Sequence, residues 1–349
     1  MKRAHQITIK DIAKELKISV ATVSRALRNT YDVSKSTRRK VLAKAKELNY
    51  RANFNATGLA SNRSHNIAVI IPTITNYYFS TVITGIQKVA YENNYNIIFY
   101  VTGESQQREL SILKGLSLST IDGLLVCVTG DAINSRHFKN ILENDIPIVF
   151  FDRAAAIKGI SRVVQNDFEG AFMAVEHLIS NGYQDIALIG GPRDLHLSKE
   201  RLRGYEVALK KQGWSIDPER IIHSAFNQNS GYEDTARLLQ LNRKIDGIFA
   251  VNDRKAVGAI LALKDAGIKV GEEVGVVGFT NDPISTIISP CLTTVEEPAL
   301  EIGMKSCELL LKQINKKGTP PETLVLQGKL IIRASANKHE VLLPKPVVY

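Results

Sequence analysis

Apolar residues recur in two rhythms along this chain. Up to residue 48 they fall three and four apart: Ile9, Ile12, Ala13 and Leu16, then Val23, Ala26 and Leu27, then Val41, Leu42, Ala45 and Leu48. That spacing gathers each set on one helix face and predicts three short helices. Thr8, with Asp11 three residues on, and then Ser19 and Ser34 stand where N-caps belong. Only Lys17 and Ile18 separate the first helix from the second cap, so the turn there is tight. Three short helices, the first pair tightly joined, match the helix-turn-helix plan.

From residue 66 the rhythm changes. The stretches NIAVIIP (66–72), DGLLVCV (122–128) and IPIVFFD (146–152) are continuous apolar runs of strand length and read as buried parallel strands. Helical patterns lie between the first two. The same succession then repeats, with DIALIGGP (185–192), DGIFAVND (246–253) and EVGVVGF (273–279) as strands. The echo of IDGLLVCVTGD in IDGIFAVNDRK supports a duplicated α/β unit. Two doubly wound lobes imply a cleft between them, lined by groups at the carboxyl ends of the strands.

Charge divides the chain at the same place. Residues 1–64 hold 15 basic and 4 acidic side chains, and the rest hold 30 and 31, so the whole net charge of +10 comes from the first sixth of 349 residues. A small basic unit on a near-neutral body is the footprint of a polyanion-binding module. The three cysteines, Cys127, Cys291 and Cys307, are odd in number and far apart, which fits a reducing cytosol. No apolar run approaches the length of a membrane span. The basic N-terminus has no apolar core of a secretory signal.

In the helix-turn-helix plan the second helix meets base edges, which here assigns Val20, Ala21, Thr22, Ser24 and Arg25 to that task. Arg25 suits guanine O6 and N7, and Val20 and Ala21 suit a thymine methyl. Thr8, Ser19, Thr22, Asn29, Ser34 and Thr37 suit phosphate oxygens, and Arg38, Arg39, Lys40, Lys44 and Lys46 make the third helix basic. One segment fits neither rhythm: NFNATGLASNR (53–63) carries a leucine, Leu59, with no apolar partner at helical or strand spacing.

The run TIKDIAKELKISVATVSRAL, followed by VSKSTRRKVLAKAKELNY, resembles the DNA-binding head of the lactose-repressor (LacI/GalR) family of bacterial transcription regulators, and the resemblance continues to the C-terminus. It implies an all-α head at 1–50, a hinge at 51–64 and a two-lobed, periplasmic-binding-protein-like core of doubly wound parallel sheets at 65–349. The N-lobe is expected at about 65–160 and 292–321, and the C-lobe at about 161–291 and 322–349. The resemblance adds Tyr50, Asn53, Ala56 and Leu59 to the DNA contacts, with Leu59 as an apolar wedge in the minor groove. The chain departs from the family pattern at Lys17, where the turn usually has glycine, and in the hinge, where the usual proline and arginine are replaced. It also departs at Thr280, in place of a strand-end aspartate.

At the strand ends stand Thr73, Asn76, Tyr78, Phe79, Asp152, Arg153, Arg201, Phe226, Asn252, Asp253, Asn281 and Asp282. Planar polar groups beside aromatic faces suit a polyhydroxylated or heterocyclic ligand. The resemblance selects Phe79, Asp152, Arg201, Phe226, Asn252 and Asp253 as effector contacts. Asp152 and Asp253 could instead cap the following helices, and Phe79 could simply pack. No Gly-rich phosphate loop, nucleophile elbow or metal-ligand spacing marks an enzyme, and no cofactor is expected. The expectation is a cytoplasmic homodimeric regulator, acting as a repressor, that binds operator DNA under the control of a sugar or sugar derivative. A receptor or a sugar- or nucleotide-processing enzyme on the same core is the alternative.

Overall fold

A computed structural model describes residues 7–28, 32–48, 50, 63–130, 135–155, 157–241 and 244–338. They form two compact units, one up to His65 and the other from Asn66. Asn29, Asn53, Ala56 and Leu59 lie outside the described residues.

In the first unit α1 (Ile9–Leu16), α2 (Val20–Arg28) and α3 (Lys35–Glu47) bury Ile12, Ala13, Val23, Ala26, Val41 and Ala45 against one another. Leu16, Leu27 and Leu48 pack around that core. Leu42 does not join them: it is 45% exposed, because one residue of helix turns a side chain about 100° away from Val41. The Thr8–Asp11 capping box forms, with the Thr8 amide and hydroxyl each 2.8 Å from Asp11 Oδ2. Lys17 ends α1 in the left-handed region at φ 51°.

The second unit begins with β1 (Asn66–Ile71), α4 (Tyr77–Glu92), β2 (Asn96–Val101), α5 (Gln106–Gly115), β3 (Gly123–Val126), α6 (Ser135–Glu143) and β4 (Ile148–Phe151). Next come β5 (Ser161–Gln165), α7 (Asp167–Ser180), β6 (Ile186–Gly190), α8 (His196–Lys211), β7 (Ile221–His223) and α9 (Gln228–Leu239). It closes with β8 (Gly247–Ala250), α10 (Asp253–Asp265), β9 (Gly275–Thr280), α11 (Ile284–Ile287), β10 (Thr293–Glu296), α12 (Ala299–Asn315), β11 (Thr323–Leu326) and β12 (Lys329–Ile331).

Two six-stranded sheets result, ordered β11-β5-β4-β3-β1-β2 and β12-β10-β9-β8-β6-β7. All pairings are parallel except β10 with β12. In each lobe the second strand lies outside the first and the third lies inside it. The connections therefore reverse between the first and third strands, the switch point at which doubly wound sheets open a crevice. Helices α4 and α12 cross so closely on the N-lobe that a Cβ on Gly85 or Gly303 would collide with the other helix's backbone, at Leu300 O or Val82 O. Glycine is required there by approach, not by conformation.

The pairing moves the expected lobe boundaries. β5 pairs with β4 and β11, Val163 facing Leu324, so residues 161–165 and 323–326 belong to the N-lobe sheet. β10 pairs with β9, Thr293 facing Val277, so residues 293–296 belong to the C-lobe. The chain therefore crosses between lobes after Gln165, after Glu296 and after Leu326. Each of these strands is short, and only its distant partner decides which sheet it completes.

Candidate DNA-reading face and interlobe cleft

On the head, α2 turns Val23 and Ala26 inward, which leaves Val20, Ala21 and Arg25 exposed on the other side; Thr22 and Ser24 are half-buried. Ser19 Oγ accepts from the Thr22 amide at 3.0 Å and fixes the first turn of α2. Arg25 Nη1 lies 3.1 Å from Asp32 Oδ2, an exposed ion pair that water and salt screen. Ser34 Oγ accepts from the Thr37 amide at 3.2 Å. The Thr8 hydroxyl spends its proton on Asp11, so in this arrangement it offers a phosphate no donor. Tyr50 is half-buried beside the head core. On α3, Arg39, Lys40 and Lys46 are exposed, whereas Lys44 is held 2.8 Å from Glu47, which raises its pKa and offsets its charge locally.

In the core, polar residues after the strands converge between the lobes. Arg201 on α8 is the centre of the convergence. Its Nε donates to Asp167 Oδ1 at 2.8 Å, Nη1 to the Val251 carbonyl at 2.6 Å and Nη2 to Glu297 Oε1 at 2.9 Å. The guanidinium also lies 3.6 Å from the centroid of the Phe279 ring. Asp167 opens α7, and Glu297 stands at the second crossing between lobes. Burial opposes the Arg201 charge, but Asp167 and Glu297 outweigh it and hold the pKa above its ordinary value. Burial also pushes both acids up, Glu297 to about 7, although Arg201 pulls each of them down.

Asp152, in the left-handed region at φ 59°, accepts from the Tyr78 hydroxyl at 2.8 Å and from Cys127 Sγ at 3.4 Å. Burial, then the Asp152 charge, push the Tyr78 phenol well above its ordinary value, so it stays a donor. The next residue, Arg153, is bidentate to Glu104 at 2.7 and 3.1 Å. Its guanidinium lies 6.0 Å from the Phe79 ring on its own lobe and 5.5 Å from the Phe226 ring on the other. A second link across the cleft joins Arg254 Nη2 to the Thr75 carbonyl at 3.0 Å.

The remaining candidates take structural positions. Phe79 is 2% exposed within the N-lobe core and touches Tyr78 edge-on. Asn76 caps the helix after β1, accepting from the Phe79 amide, and the next helix after Asp152, α7, is capped by Asn166, not by Asp152. Asn252 caps α10 through Oδ1 and donates from Nδ2 to the Phe226 carbonyl at 3.0 Å, which fixes where that ring stands. Asp253 is turned into the C-lobe: its oxygens accept from Thr294 Oγ1 at 2.5 Å and the Asp282 amide at 2.7 Å, and burial raises it to about 6. It holds the loop after β9 in place. In that loop Thr280 has φ 128° and Asn281 φ 59°, conformations that cost a β-branched residue most. Asn281 is bonded to Glu296 and Arg333, and Asp282 Oδ1 accepts from the Ile284 amide.

Sequence reasoning missed Glu297 and Gln165, which stand at two of the crossings. Nothing local marks them; only the return of the chain between lobes brings them to the cleft. Beside Gln165 a cavity of about 310 Å³ is lined by Asp152, Arg153, Asn166, Asp167 and His196 among others. Among the described residues no His, Cys, Asp and Glu cluster is arranged to hold a metal ion, and no helix is long and apolar enough to cross a membrane.

Known proteins resemble this chain over nearly all its length. Residues 8–53 match the profile of bacterial regulatory proteins of the lacI family, and residues 175–336 match a periplasmic binding protein-like domain. Catabolite control protein A of Priestia megaterium is 32% identical over 333 residues, covering 94% of this chain and 99% of that protein. The lac repressor dimer bound to operator and the anti-inducer ONPF superposes with a TM-score of 0.84 at 25% identity, covering 95% and 99% of the two chains. The complex of the transcriptional regulator CelR with cellobiose superposes with a TM-score of 0.73 at 26% identity, covering 94% and 99%.

Proposed function

The chain belongs to the lacI family of bacterial regulatory proteins, and from that premise we propose that it is a homodimeric transcriptional repressor released from or driven onto its operator by a sugar in the interlobe cleft. The carrying observation is Arg201, which joins the C-lobe, through Asp167 and Val251, to the crossing at Glu297. A ligand that competes for this guanidinium changes what holds the lobes at their present angle. Operator affinity and ligand affinity are then linked reciprocally. The sugar reading is supported by the cellobiose complex of a similar regulator and by the density of buried donors and acceptors in the cleft.

Geometry and chemistry support the roles given to the head and cleft residues, and the family resemblance supports those given to the hinge. Val20, Ala21 and Arg25 read base edges, Thr22 and Ser24 assist them, and Ser19, Ser34, Thr37, Arg39 and Lys40 meet phosphates. The hinge, with Asn53, Ala56 and Leu59, transmits the change of lobe angle and places Leu59 in the minor groove. Arg201 and Asp152 contact the effector, with Arg153 and Phe226 closing over it. These residues carry no catalytic step, and the protein works in the compartment that holds the DNA. A second copy is suited to the edge strand β2, where Phe99 and Val101 are exposed. Unpaired apolar edges of this kind are otherwise liabilities.

The deciding experiment is a gel shift of the full chain on operator candidates across salt concentrations, with and without cellobiose or monosaccharides. Sequence preference with a steep salt slope, altered by one of the sugars, is the expected result. No preference for any DNA under any ligand condition overturns the regulator; turnover of a sugar would favour the enzyme instead.

A further inference from the structure

Helix α10 carries a lysine on a face that packs against another helix. Lys255 and Gly258, three apart, both meet α9 so closely that a Cβ on Gly258 or on Gly231 of α9 would collide with backbone of the other helix. Lys255 is fully buried, a place lysine takes almost only when paired. The close approach lets buried Asp234 of α9 accept from its Nζ at 2.6 Å. Nζ also donates to the Gly190 carbonyl at 2.8 Å and to Ser224 Oγ at 2.6 Å, so its three protons have three acceptors. Ser224 in turn donates to Asp234 Oδ2 at 2.6 Å. Stability alone does not account for such a pair. Burial lowers the Lys255 pKa despite Asp234, and an apolar pair of similar shape often holds a core as well or better. What the network does supply is position. Gly190 ends β6, and Gly191 beside it stands so near the Phe226 ring that a Cβ there would strike it. Ser224 lies two residues before Phe226. From the first turn of the same α10, Asn252 donates to the Phe226 carbonyl. The segment 224–227, between β7 and α9, is thus tied to α10 twice.

We propose that Lys255, with Asp234 and Ser224, is a positioning residue for the effector: it fixes the segment that carries Phe226 and so sets how tightly the cleft holds a sugar. The inference rests on the cleft being the effector site. Phe226 is the C-lobe ring that faces the Arg153 guanidinium of the N-lobe at 5.5 Å. Lys255 touches no ligand, being fully buried, and acts only through Ser224 and the turn at Gly190. A segment already held in place has no ordering left to undergo when a ligand arrives. A segment released from Lys255 must be ordered at that moment, and the cost appears as lost affinity. Fixing the backbone of a single residue is enough to weaken binding about 10-fold. A pair that merely filled the core would change affinity only as far as it changed stability.

The test uses the full chain, with thermal melting titrated with ribose, glucose, galactose and cellobiose and hydrogen exchange followed without ligand. Replacing both charges, in the double variant Lys255→Met with Asp234→Leu, should leave ligand-free melting unchanged or higher. A sugar that binds the wild type should bind this variant about 10-fold more weakly. Amide exchange should quicken in residues 224–228 and stay as it was in β8. Ser224→Ala removes only the tie from the ammonium to the segment, should weaken the same sugar about 3-fold, and decides the matter should the double variant not fold. Undiminished sugar affinity in the deciding variant overturns the proposal and leaves the cleft reading intact; the pair then only fills the core. The proposal is overturned in the same way if affinity falls without faster exchange in 224–228, or falls with the melting temperature while exchange quickens throughout the C-lobe. If none of the four sugars shifts the wild type, the sugar reading of the cleft fails, and this proposal fails with it.

Discussion

On the proposed reading the head and the cleft each use an arginine to meet a ligand, and the two arginines are held in opposite ways. Arg25 is exposed, held by a screened ion pair to Asp32, and stands on a helix whose inward face was set by residues three and four apart. Arg201 is 5% exposed, has acceptors from two elements and one crossing, and stacks on Phe279. DNA brings its own charge and can meet a surface that costs little to keep solvated. A small neutral ligand must be surrounded, so its site is assembled from buried polar groups that are costly unless every partner is present. The contrast predicts that the same substitution has different consequences at the two sites.

The largest effect is expected at Arg201. Arg201→Ala leaves Asp167 and Glu297 buried without a cation, and should destabilise the core by about 3–5 kcal/mol in denaturant unfolding, with any ligand response lost. A loss below about 1 kcal/mol would mean that the two acids are readily neutralised or hydrated. In that case the network would not be what sets the lobe angle.

Glu297 provides the next test, through pH. Its folded pKa of about 7 lies above the ordinary 4.5. Between those values the folded state keeps a proton that the unfolded state releases, so stability is greatest below the lower value and falls as pH rises toward 7. It is level above that. The slope from this group is up to about 1.4 kcal/mol per pH unit. Asp253, raised to about 6, contributes in the same direction, so Glu297→Gln should flatten melting temperature against pH without abolishing the trend. A variant profile parallel to the wild type between pH 5 and 7 would refute the assignment.

Glu297 and its neighbours also mark where the sequence stops being readable. The head's caps at Thr8, Ser19 and Ser34 and its buried face were visible because each signal spans three or four residues. The central strands β1, β3, β4, β6, β8 and β9 were visible because strands covered on both faces are apolar throughout. Strand β2 alternates at an edge, and β5, β7 and β10–β12 mix polar residues into three to five positions, so no continuous apolar run announces them. Glu297 and Gln165 gain their meaning only from β10 and β5 completing sheets begun more than ten residues earlier. Asp253 looked like a strand-end ligand because its sequence position is right, but its side chain turns the other way. Local order was legible, and long-range assembly was not.

On the head, the contrast with Arg201 is sharpest at Arg25. Arg25→Ala should change stability by no more than about 0.5 kcal/mol, since an exposed pair contributes little. It should nevertheless cost about 1–3 kcal/mol of discrimination at one base position. Arg39→Ala should instead weaken every sequence alike and reduce the salt slope by about 1. Lys44, already bonded to Glu47, should show less of that effect. Binding measured on operator and mismatched DNA over a salt series separates the two roles, and equal loss of discrimination in both variants would break the assignment.

The smallest effect concerns the turn that makes the head's geometry possible. Lys17 ends α1 at φ 51° and ψ 42°, with the Ile18 amide reaching back to the Ala13 carbonyl at 3.1 Å. That pattern closes a helix through one left-handed residue, a place glycine takes without a Cβ penalty. Ile18, partly buried against the head core, then pins the turn from its other side. Lys17→Gly relieves strain of about 1 kcal/mol but gains freedom in the unfolded chain, so the net stabilisation should be about 0.5 kcal/mol. Base preference should not move, because Lys17 is exposed and Ser19 still fixes α2. If Lys17→Gly instead lowers the head's melting temperature, the lysine side chain contributes contacts that outweigh the backbone cost, and the departure from glycine would be a gain in stability rather than a tolerated strain.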